Sequence, residues 1–375
     1  MPISVAVPKE TLAGERRVAL DPGTAERVAK RGAIVLIERG AGLGAHQADA
    51  AYASRARLID NAQALYHEAD VLLKIQPPTL AEVEMMKDGA TIVSFMQPHR
   101  NLEMVARLRD KNITSFAMEL VPRISRAQSM DALSSQAAVA GYKAALMAAD
   151  LAPVFFPMLT TAAGTVRPAK AVIIGAGVAG LQAIATCRRL GAQVEAYDIR
   201  AAAKEQVESL GARLIDTGVN AEGQGGYARE LTAEEKQKQA DVLAKHLAAA
   251  SVVISTAAVP GRPAPKIITR AMVEGMKAGA VIVDLAADGG GNCELTEPGK
   301  TIEHNGVVIH GPLNIPSAIP VHASEMYAKN LFNFLSPMIK DGQLQLDWND
   351  EVIAQSALTH QREVRHAPTR QQLGG

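Results

Sequence analysis

The chain has 375 residues, of which 48% are hydrophobic and 21% charged, and its 39 Lys and Arg balance 39 Asp and Glu. This length is enough for two domains with separate cores, and the composition is that of a soluble globular protein. The balanced charge gives no electrostatic reason to expect binding to nucleic acid or to an anionic membrane surface.

The sequence carries no targeting, membrane or disulfide pattern. At the N-terminus, Lys9 and Glu10 arrive too early for the apolar region of a signal peptide. The longest apolar segment, 141–164, is interrupted by charged residues and prolines, so we interpret it as core and expect the chain itself to be soluble. Cys187 and Cys293 are far apart and lack neighbouring metal ligands, which argues against a disulfide or a zinc site and fits a reducing compartment.

In chain order, short apolar runs typical of strands alternate with amphipathic runs typical of helices. "SVAVPKE" and "AIVLIERG" predict strands on either side of a helix at "GTAERVAKRG", and "VLLKI", "ATIVSFM" and "ITSFAMEL" predict further strands. This alternation indicates parallel βαβ units rather than a sandwich. The segment 128–150, which lacks proline, predicts a long helix that leaves the first domain.

A second alternating series begins at "AKAVIIG" and continues with strands at "QVEAYD", "SVVIST" and "AVIVDLA". One of the helices between them opens with Thr232 and Glu235 at the spacing of a capping box. "SEMYAKNLFNFL" predicts an apolar-faced helix, followed by a polar tail. We therefore predict an α/β protein of two doubly wound Rossmann-like domains, the second inserted into the first. The first covers residues 1–135, completed by 328–375, and the second covers 136–327.

The strongest local motif is a G-x-G-x-x-G formed by Gly175, Gly177 and Gly180 between a predicted strand and a predicted helix. In a dinucleotide-binding turn the first glycine permits the tight bend, the second lets the backbone approach the pyrophosphate, and the third allows the helix to pack closely on the strand. The helix N-terminus, at Val178 and Ala179, would offer free N–H groups to the phosphates. The glycine pattern alone is weak evidence, because alanine-rich sequences contain it by chance.

Asp198 ends the next predicted strand, at the distance that such a motif requires. Its carboxylate is expected to bind the adenosine ribose hydroxyls and to repel a 2′-phosphate. Arg200 could attract a phosphate, but Asp198 precedes it, so we predict NAD(H) rather than NADP(H) as the cofactor. Ile199 and Arg200 join Asp198 as candidate contacts. The alternative interpretation is a tight turn beside a solvated aspartate.

Two later segments contain the small residues that a close approach of backbone to a ligand needs. They are 255–261, in which Ala257 and Ala258 are candidate cofactor contacts, and 284–292. Both follow predicted strands, where the ligands of open α/β sheets bind. Each could equally be a short loop without a ligand.

Several motifs together resemble a known family. "VPKE", "GERRVAL", "MELVPRISRAQSMDALSSQ", "TAAGTV", the glycine motif with its continuation, and "DLAADGGGNCELTEPG" resemble the NAD(H)-binding component of proton-translocating nicotinamide nucleotide transhydrogenase. The likeness runs in unbroken order from about Ser4 to about Leu335. Alanine dehydrogenase shares the fold of this family. Because the sequence ends at Gly375 without a membrane segment, it resembles the separate soluble α-subunit of a three-polypeptide enzyme.

The resemblance implies roles for a polar cluster in 121–136. Arg123, Gln128 and Asp131 match the Arg–Gln–Asp loop of the family, which lies over the nicotinamide and faces the NADP(H)-binding subunit. Arg123 and Asp131, with Ser134 one turn further on, would hold the carboxamide, and Gln128 would reach toward the partner's nucleotide. The alternative interpretation is a polar helix cap, which explains Asp131 or Ser134 singly.

The segment 220–232 is glycine-rich, longer than a typical connection, and carries one aromatic residue, Tyr227. We predict that it is mobile when no ligand is bound. In the resembling family the matching loop closes over the nucleotide with its tyrosine near the nicotinamide, so Gly225 and Tyr227 are candidate site residues. The alternative is a flexible linker in which the tyrosine has no role.

The alternative function is that of an NAD-dependent amino-acid dehydrogenase like alanine dehydrogenase. Such an enzyme clamps the carboxylate of pyruvate with cations, at positions that Arg17 and Lys74 match, and protonates its carbonyl through a histidine. Asp288 matches the active-site aspartate of that enzyme. Gln97 occupies the histidine's position and cannot act as a general acid. His99 would share a strand face with Gln97, but the proline between them is expected to end the strand first. Direct hydride transfer between two nicotinamides needs no proton donor, so Arg17 and Lys74 are expected to form structural ion pairs or helix caps.

The resemblance also implies partners and a location. It implies a homodimer that binds one NADP(H)-binding transhydrogenase β-subunit, together with a membrane-spanning subunit through which protons move. The implied location is the cytoplasm, in peripheral association with the inner membrane through those subunits. The isolated chain would transfer no hydride without its NADP(H)-binding partner.

Overall fold

The computed structural model describes residues 2–200, 202–219, 232–258 and 263–374. The chain forms two compact units, Met1–Gln136 with Pro316–Gly375, and Ala137–Ile315. The predicted α/β class, with the second unit inserted into the first, is confirmed. In the described ranges, no helix is both long enough and apolar enough to cross a membrane.

The strands are numbered in chain order over the described residues. Strands β1 to β19 are Ser4–Val7, Ile34–Glu38, Arg57–Ile59, Val71–Leu73, Thr91–Ser94, Thr114–Ala117, Leu159–Thr161, Gly164–Val166, Lys170–Ile174, Gln193–Tyr197, Arg213–Leu214, Val252–Ser255, Val281–Asp284, Thr301–His304, Val307–His310, Ile339–Lys340, Gln343–Leu344, Ala357–His360 and Glu363–Val364.

The helices are numbered in the same way. Helices α1 to α13 are Pro22–Ala29, Asp49–Tyr52, Ala62–Glu68, Leu80–Met85, Leu102–Asp110, Ala132–Leu151, Val178–Arg189, Ala203–Ser209, Ala233–Ala248, Arg270–Glu274, Pro320–Leu335, Glu351–Ser356 and Ala367–Gln372. Short 3-10 helices lie at Leu43–Ala45, Met118–Leu120, Ser125–Met130, Ala287–Gly289, Ile315–Ala318 and Ser336–Met338.

The first unit is built on one sheet with the strand order β19-β18-β6-β5-β4-β1-β2-β3. Strands β1 to β6 pair in parallel, and β18 and β19 join antiparallel at one edge. Alternate residues of β1 bury on opposite faces, Val5 and Val7 in one core and Ala6 in the other. Both faces of the sheet are therefore covered, as a parallel sheet requires.

The second unit is built on a sheet with the order β11-β10-β9-β12-β13-β15-β14, in which β14 alone of the described strands runs antiparallel. Strand β9 lies between β10 and β12, so the chain order reverses direction at the β9–β12 junction. Ligands of open α/β sheets bind in the crevice at such a switch point. The glycine motif follows β9, at this junction.

The start of the long helix differs from the sequence-based expectation. Helix α6 begins at Ala132 rather than at Gln128, because Asp131 caps it. The carboxylate of Asp131 accepts hydrogen bonds from the Ser134 N–H (2.9 Å) and the Ser134 hydroxyl (2.6 Å). The residues before the cap form the 3-10 helix Ser125–Met130 instead.

The C-terminal segment also differs from the expectation. The chain returns to the first unit at Pro316, and the predicted return at residue 328 falls inside α11, whose Tyr327 and Leu331 pack in the first unit's core. The segment after α11, predicted to be a polar tail, is folded. Leu358 of β18 is fully buried because β18 pairs with β6 and extends the sheet.

Candidate functional site

The glycine motif forms a tight turn between β9 and α7. Gly175 has a φ of +92°, a backbone conformation that L side chains rarely adopt. A Cβ atom at Gly175 would lie 2.7 Å from the Thr256 hydroxyl oxygen. A Cβ atom at Gly180 would lie 1.8 Å from the Gly175 carbonyl oxygen. Both positions therefore require glycine for the turn itself, whatever the ligand.

Gly177 differs from its two neighbours, because a Cβ atom there would meet no described atom within 4 Å. The turn is therefore open at this residue. Gly177 is the N-cap of α7, and the first helical hydrogen bond runs from the Leu181 N–H to the Gly177 carbonyl (2.8 Å). The N–H groups of Val178, Ala179 and Gly180 thus have no acceptor within the helix. An open turn at a helix N-terminus fits the pyrophosphate of a dinucleotide.

Asp198 follows β10, and its carboxylate is hydrogen-bonded to the backbone of the glycine turn. One carboxylate oxygen accepts the Ala176 N–H (2.7 Å) and the other accepts the Arg200 N–H (2.8 Å). Burial alone would raise the pKa of Asp198, but the hydrogen bonds from Arg200 and Ala176 outweigh it and hold that pKa below its usual value. Asp198 is therefore ionised at neutral pH.

The side chain of Arg200 also binds this carboxylate, with Nε 3.0 Å from one oxygen and Nη2 3.1 Å from the other. With the two backbone N–H groups, each oxygen of Asp198 accepts two hydrogen bonds. A ribose hydroxyl would reach the carboxylate by taking the place of Arg200. Ile199, between the two charged residues, is half-buried.

Hydrogen bonds to Asn292 limit how Ala257, in the segment after β12, can contact a ligand. The Ala257 N–H donates to Oδ1 of Asn292 (3.0 Å), and the Ala257 carbonyl accepts from Nδ2 of the same residue (2.7 Å). Both backbone polar groups are occupied, so Ala257 can present only its methyl group. Ala258 is exposed. Asn292 was not predicted from the sequence, although an asparagine after three glycines, in the segment that follows a predicted strand, was a usable signal.

Gly225 and Tyr227 lie outside the described residues. Their assignment to a loop over the nucleotide stays a prediction.

The polar cluster in 121–136 belongs to the first unit. Arg123 and Gln128 are exposed, and neither side chain has a hydrogen bond or ion pair within the described part of the chain. Arg126, in the same segment, is instead paired with Asp350 (Nη1–Oδ2 3.0 Å). The side chains of Arg123 and Gln128 are thus available to a ligand or partner, and that of Arg126 is not.

Asp131 and Ser134 bind each other at the start of α6, as the helix-cap alternative expected of them singly. A second contact was not predicted from the sequence. Nδ2 of Asn330, on α11, donates to the Ser129 carbonyl (2.9 Å), and its Oδ1 accepts from the Ser135 hydroxyl (2.7 Å). This one side chain therefore ties the 3-10 helix to the first turn of α6.

Arg17 is buried and ion-paired. Its guanidinium contacts Glu15 (2.6 Å) and donates to Gln136 (2.8 Å). Burial alone would raise the pKa of Glu15, but the hydrogen bond and charge of Arg17 outweigh it and lower this pKa to about 2.

Lys74 is buried in the same unit, 3.3 Å from Glu10 and 3.0 Å from Glu82. Burial would lower the pKa of Lys74, but these two carboxylates outweigh it and raise that pKa. The expectation that Arg17 and Lys74 form structural ion pairs is confirmed. Because their charges are already matched by carboxylates, neither is a free clamp for a substrate carboxylate.

Gln97 lies beyond the end of β5, with a φ of +43° and its N–H bonded to Glu119. Burial raises the pKa of Glu119, against the opposing effect of its backbone hydrogen bonds. His99 is exposed in the turn that follows Pro98, and β5 has ended at Ser94, so His99 does not share a strand face with Gln97.

The fold and the turn together define a class. Two parallel α/β units, one with an open glycine turn and an acidic residue at the next strand end, are the architecture of an NAD-binding dehydrogenase-like protein.

Comparisons with known proteins define the family. The family model "Alanine dehydrogenase/PNT, N-terminal domain" matches residues 6–140, and the model of the C-terminal domain of the same family matches residues 144–367. The chain is 45% identical over 376 aligned residues to an NAD(P) transhydrogenase alpha subunit of Rhodospirillum rubrum, covering 97% of this chain and 98% of that one. The chain therefore belongs to the alanine dehydrogenase/PNT family and, within it, to the group of NAD(P) transhydrogenase alpha subunits.

Solved structures agree with this membership. The transhydrogenase of Sinorhizobium meliloti superposes with a TM-score of 0.88 at 46% identity, covering 96% of this chain and 99% of that one. An L-alanine dehydrogenase superposes with a TM-score of 0.83 at 26% identity, covering 99% of each chain. The fold is thus shared with both enzymes, and the chemistry must be argued from the site.

Proposed function

We propose that this chain is the NAD(H)-binding subunit of a proton-translocating nicotinamide nucleotide transhydrogenase. Hydride passes directly between NADH held by this chain and NADP⁺ held by a partner subunit, and membrane subunits couple the transfer to proton movement. The observation that carries the proposal is the open turn at Gly177, where the glycine motif meets the N-terminus of α7. The names of the relatives, which are subunits, support the need for partners.

The second unit supplies the nucleotide contacts in this proposal. The N–H groups of Val178, Ala179 and Gly180 face the pyrophosphate, and Asp198 binds the adenosine ribose. The remaining contacts are assigned to Ile199, Arg200, Ala257 and Ala258, and to Gly225 outside the described residues.

A further group of residues is assigned to orient the reacting ring. Arg123 and Asp131, with Ser134, hold the carboxamide, and Gln128 reaches to the partner's nucleotide. Tyr227, outside the described residues, lies near the nicotinamide. Bound NADH supplies a hydride, and the task of these side chains is to fix the ring and keep water out.

The ionic groups of the first unit support transhydrogenation over amino-acid dehydrogenation. Protonating the carbonyl of a keto acid needs a general acid, and Gln97 cannot act as one. Arg17 is matched by Glu15, and Lys74 by Glu10 and Glu82, in buried pairs. A substrate carboxylate would have to displace one of these partners from a buried site, which is costly.

We expect the isolated chain to bind NADH but to transfer no hydride to NADP⁺ until the NADP(H)-binding subunit is added. The sequence has one dinucleotide motif, and direct transfer needs two rings about 3–3.5 Å apart. Stopped-flow absorbance with NADH and an NADP⁺ analogue, with and without the partner, measures this. Pyruvate with ammonia serves as the alternative acceptor and should leave NADH unoxidised. Steady oxidation with pyruvate would favour the amino-acid dehydrogenase instead.

We also expect the chain to prefer NADH over NADPH, because the ionised carboxylate of Asp198 faces the site of a 2′-phosphate. Once the nucleotide has taken the place of Arg200, the repulsion between this carboxylate and a 2′-phosphate should cost more than about 1 kcal/mol. Fluorescence titration with each nucleotide measures the ratio of dissociation constants. Asp198→Asn should narrow this ratio, whereas Glu195→Gln, a control on β10 whose carboxylate pairs with Lys170, should leave it unchanged. Equal affinity of the parental chain for the two nucleotides would contradict the assignment.

We propose further that the chain forms a homodimer through the hairpin β7–β8. Apolar side chains are exposed along and beside this two-stranded sheet, among them Phe155 (57% exposed), Met158 (65%) and Val166 (45%). An isolated two-stranded sheet is marginally stable in water, so covering its apolar side is favourable. A second copy of the hairpin offers a surface of the same character, as a two-fold interface requires.

Met158→Asp should therefore shift the chain from dimer to monomer, because it puts a charge on the most exposed of these three apolar side chains. Light scattering after size exclusion, over a range of concentrations, measures the mass. The control is Leu80→Asp, which also replaces an exposed apolar residue but at the first position of α4, where an acidic residue is favourable. A dimer that is unchanged by Met158→Asp would rule out the hairpin as the interface.

A further inference from the structure

Strand β13 ends in a buried carboxylate whose hydrogen-bond donors are all neutral groups. One oxygen of Asp284 accepts from the Ser255 hydroxyl (3.0 Å) and the Ala286 N–H (3.1 Å). The other accepts from the Cys293 N–H (3.0 Å) and the Thr296 hydroxyl (2.6 Å). A carboxylate that is fully satisfied in this way is compatible with burial. Asp284 therefore joins the end of β12 to the segment that follows β13.

That segment turns back on itself through two glycines. Gly290 and Gly291 have φ values of +98° and +84°. A Cβ atom at Gly291 would lie 2.7 Å from the Asp284 carboxylate. The tight return brings the next residue, Asn292, under the end of β12 with no exposed surface.

Asn292 uses its whole carboxamide on the segment after β12. Its Oδ1 accepts the Ala257 N–H (3.0 Å), and its Nδ2 donates to the carbonyls of Ala257 (2.7 Å) and Pro265 (2.9 Å). The chain is thus fixed at two points on either side of the residues between Ala257 and Pro265. No other side chain in the described part of the chain bonds both backbone groups of Ala257.

The end of β12 is also bonded to the glycine turn. Thr256, which precedes Ala257 in the chain, donates a hydrogen bond from its hydroxyl to the Gly175 carbonyl (3.0 Å). Holding Ala257 therefore also holds the strand end against which Gly175 packs. A polar path runs from Asp284 through the segment of Asn292 to the glycine turn, and every step of it lies inside the second unit.

We propose that Asn292 is a positioning residue for nucleotide binding, which fixes the end of β12 against the glycine turn so that the nicotinamide half of the nucleotide is held. This inference rests on the proposed NAD(H)-binding function. The position in the sheet of the segment that Asn292 holds determines which half of the nucleotide is bound less tightly when Asn292 is replaced. Asp198, after β10, lies on the adenosine side of the switch point, and Ala257, after β12, lies on the other.

The test is titration of the full chain with NADH and with ADP, which carries the adenosine and the two phosphates but no nicotinamide riboside. Asn292→Ala leaves three backbone groups without a partner and should raise the dissociation constant for NADH about tenfold. The dissociation constant for ADP should change less than about twofold. Thr186→Ala is the control, because it removes a buried hydroxyl of α7, bonded to the Gln182 carbonyl, from the same unit. It should change neither constant.

If Asn292→Ala does not fold, Asn292→Asp tests the positioning role of Asn292 instead. It is nearly isosteric and can still accept the Ala257 N–H, but its ionised carboxyl cannot donate to the two carbonyls. Protonation restores one donor, so NADH binding by Asn292→Asp should tighten as pH falls, more than binding by the parental chain does. A dissociation constant for NADH within twofold of the parental value, or an equal loss of NADH and ADP, would overturn the proposal. Failure of the parental chain to bind NADH would refute the proposed function instead.

Discussion

Gln128→Ala is expected to lower hydride transfer in the mixed complex by about a hundredfold while leaving NADH affinity unchanged. Gln128 is exposed and its side chain has no bond within the described residues, so its removal disturbs no contact of the fold. Its proposed contact is with the partner's nucleotide, and misplacing a ring by about 1 Å can cost on the order of a hundredfold in rate. Stopped-flow transfer at saturating partner, beside equilibrium NADH binding, separates the two effects.

The same segment offers a control and a contrast. Arg126→Ala removes a cation two residues away that is paired with Asp350, and it should leave both transfer and affinity near the parental values. Arg123→Ala should weaken both, because its proposed contact is with this chain's own nicotinamide. If the Gln128→Ala variant transfers hydride at the parental rate, the segment acts only as a helix cap and the proposed role of Gln128 is wrong.

Two substitutions in the glycine turn are expected to have large and opposite effects, one mainly on NADH affinity and the other mainly on the free energy of unfolding. Gly177→Ala should keep the fold, since its backbone angles (φ −76°, ψ −170°) suit alanine and its Cβ would meet no described atom within 4 Å. Loss of the preferred N-cap residue should cost at most about 1 kcal/mol of unfolding free energy. The new methyl group stands where the pyrophosphate must approach, so NADH affinity should fall about a hundredfold or more.

Gly180→Ala should do the reverse and damage the fold first. Its Cβ would lie 1.8 Å from the Gly175 carbonyl, so the backbone of the turn has to move. We expect a loss of about 3 kcal/mol or more of unfolding free energy. Thermal and urea unfolding of the two variants, with NADH titration of whichever stays folded, measure the pair. Normal NADH affinity in a folded Gly177→Ala would exclude the turn as the phosphate site.

The parts of the fold that follow from local pattern could be predicted from the sequence. The strands that were predicted in the two large sheets, β1, β2, β4, β5, β6, β9, β10, β12 and β13, are short apolar runs, and the turn at Gly175 follows from glycine spacing after one of them. The capping of α9 by Thr232 and Glu235 is present as the spacing predicted. The prediction that the long helix begins at Gln128 was wrong, because composition does not show that the 3-10 helix ends before Asp131 and that Asp131 caps α6.

Contacts between distant residues were beyond the sequence. Asn292 bonds Ala257 across 35 positions, and Asn330 bonds Ser129 across 201. The glycines before Asn292 mark a tight turn, but the local sequence does not indicate which distant segment either asparagine bonds, because these pairs form only once the topology brings two segments together. The pairing of Arg200 with Asp198 was also missed, because two residues of opposite charge at such spacing are common on protein surfaces.

The first unit is made from both ends of the chain, and this has a consequence for how the protein is made. During synthesis the second unit, Ala137–Ile315, can finish folding while the first still lacks α11, β18 and β19. Until they emerge, β6 is an open sheet edge that can pair with another nascent chain. The single tryptophan, Trp348, is in the late segment and stacks on Phe116 of β6 (6.4 Å between ring centroids). Its fluorescence would therefore report the moment at which the newly made chain closes that edge.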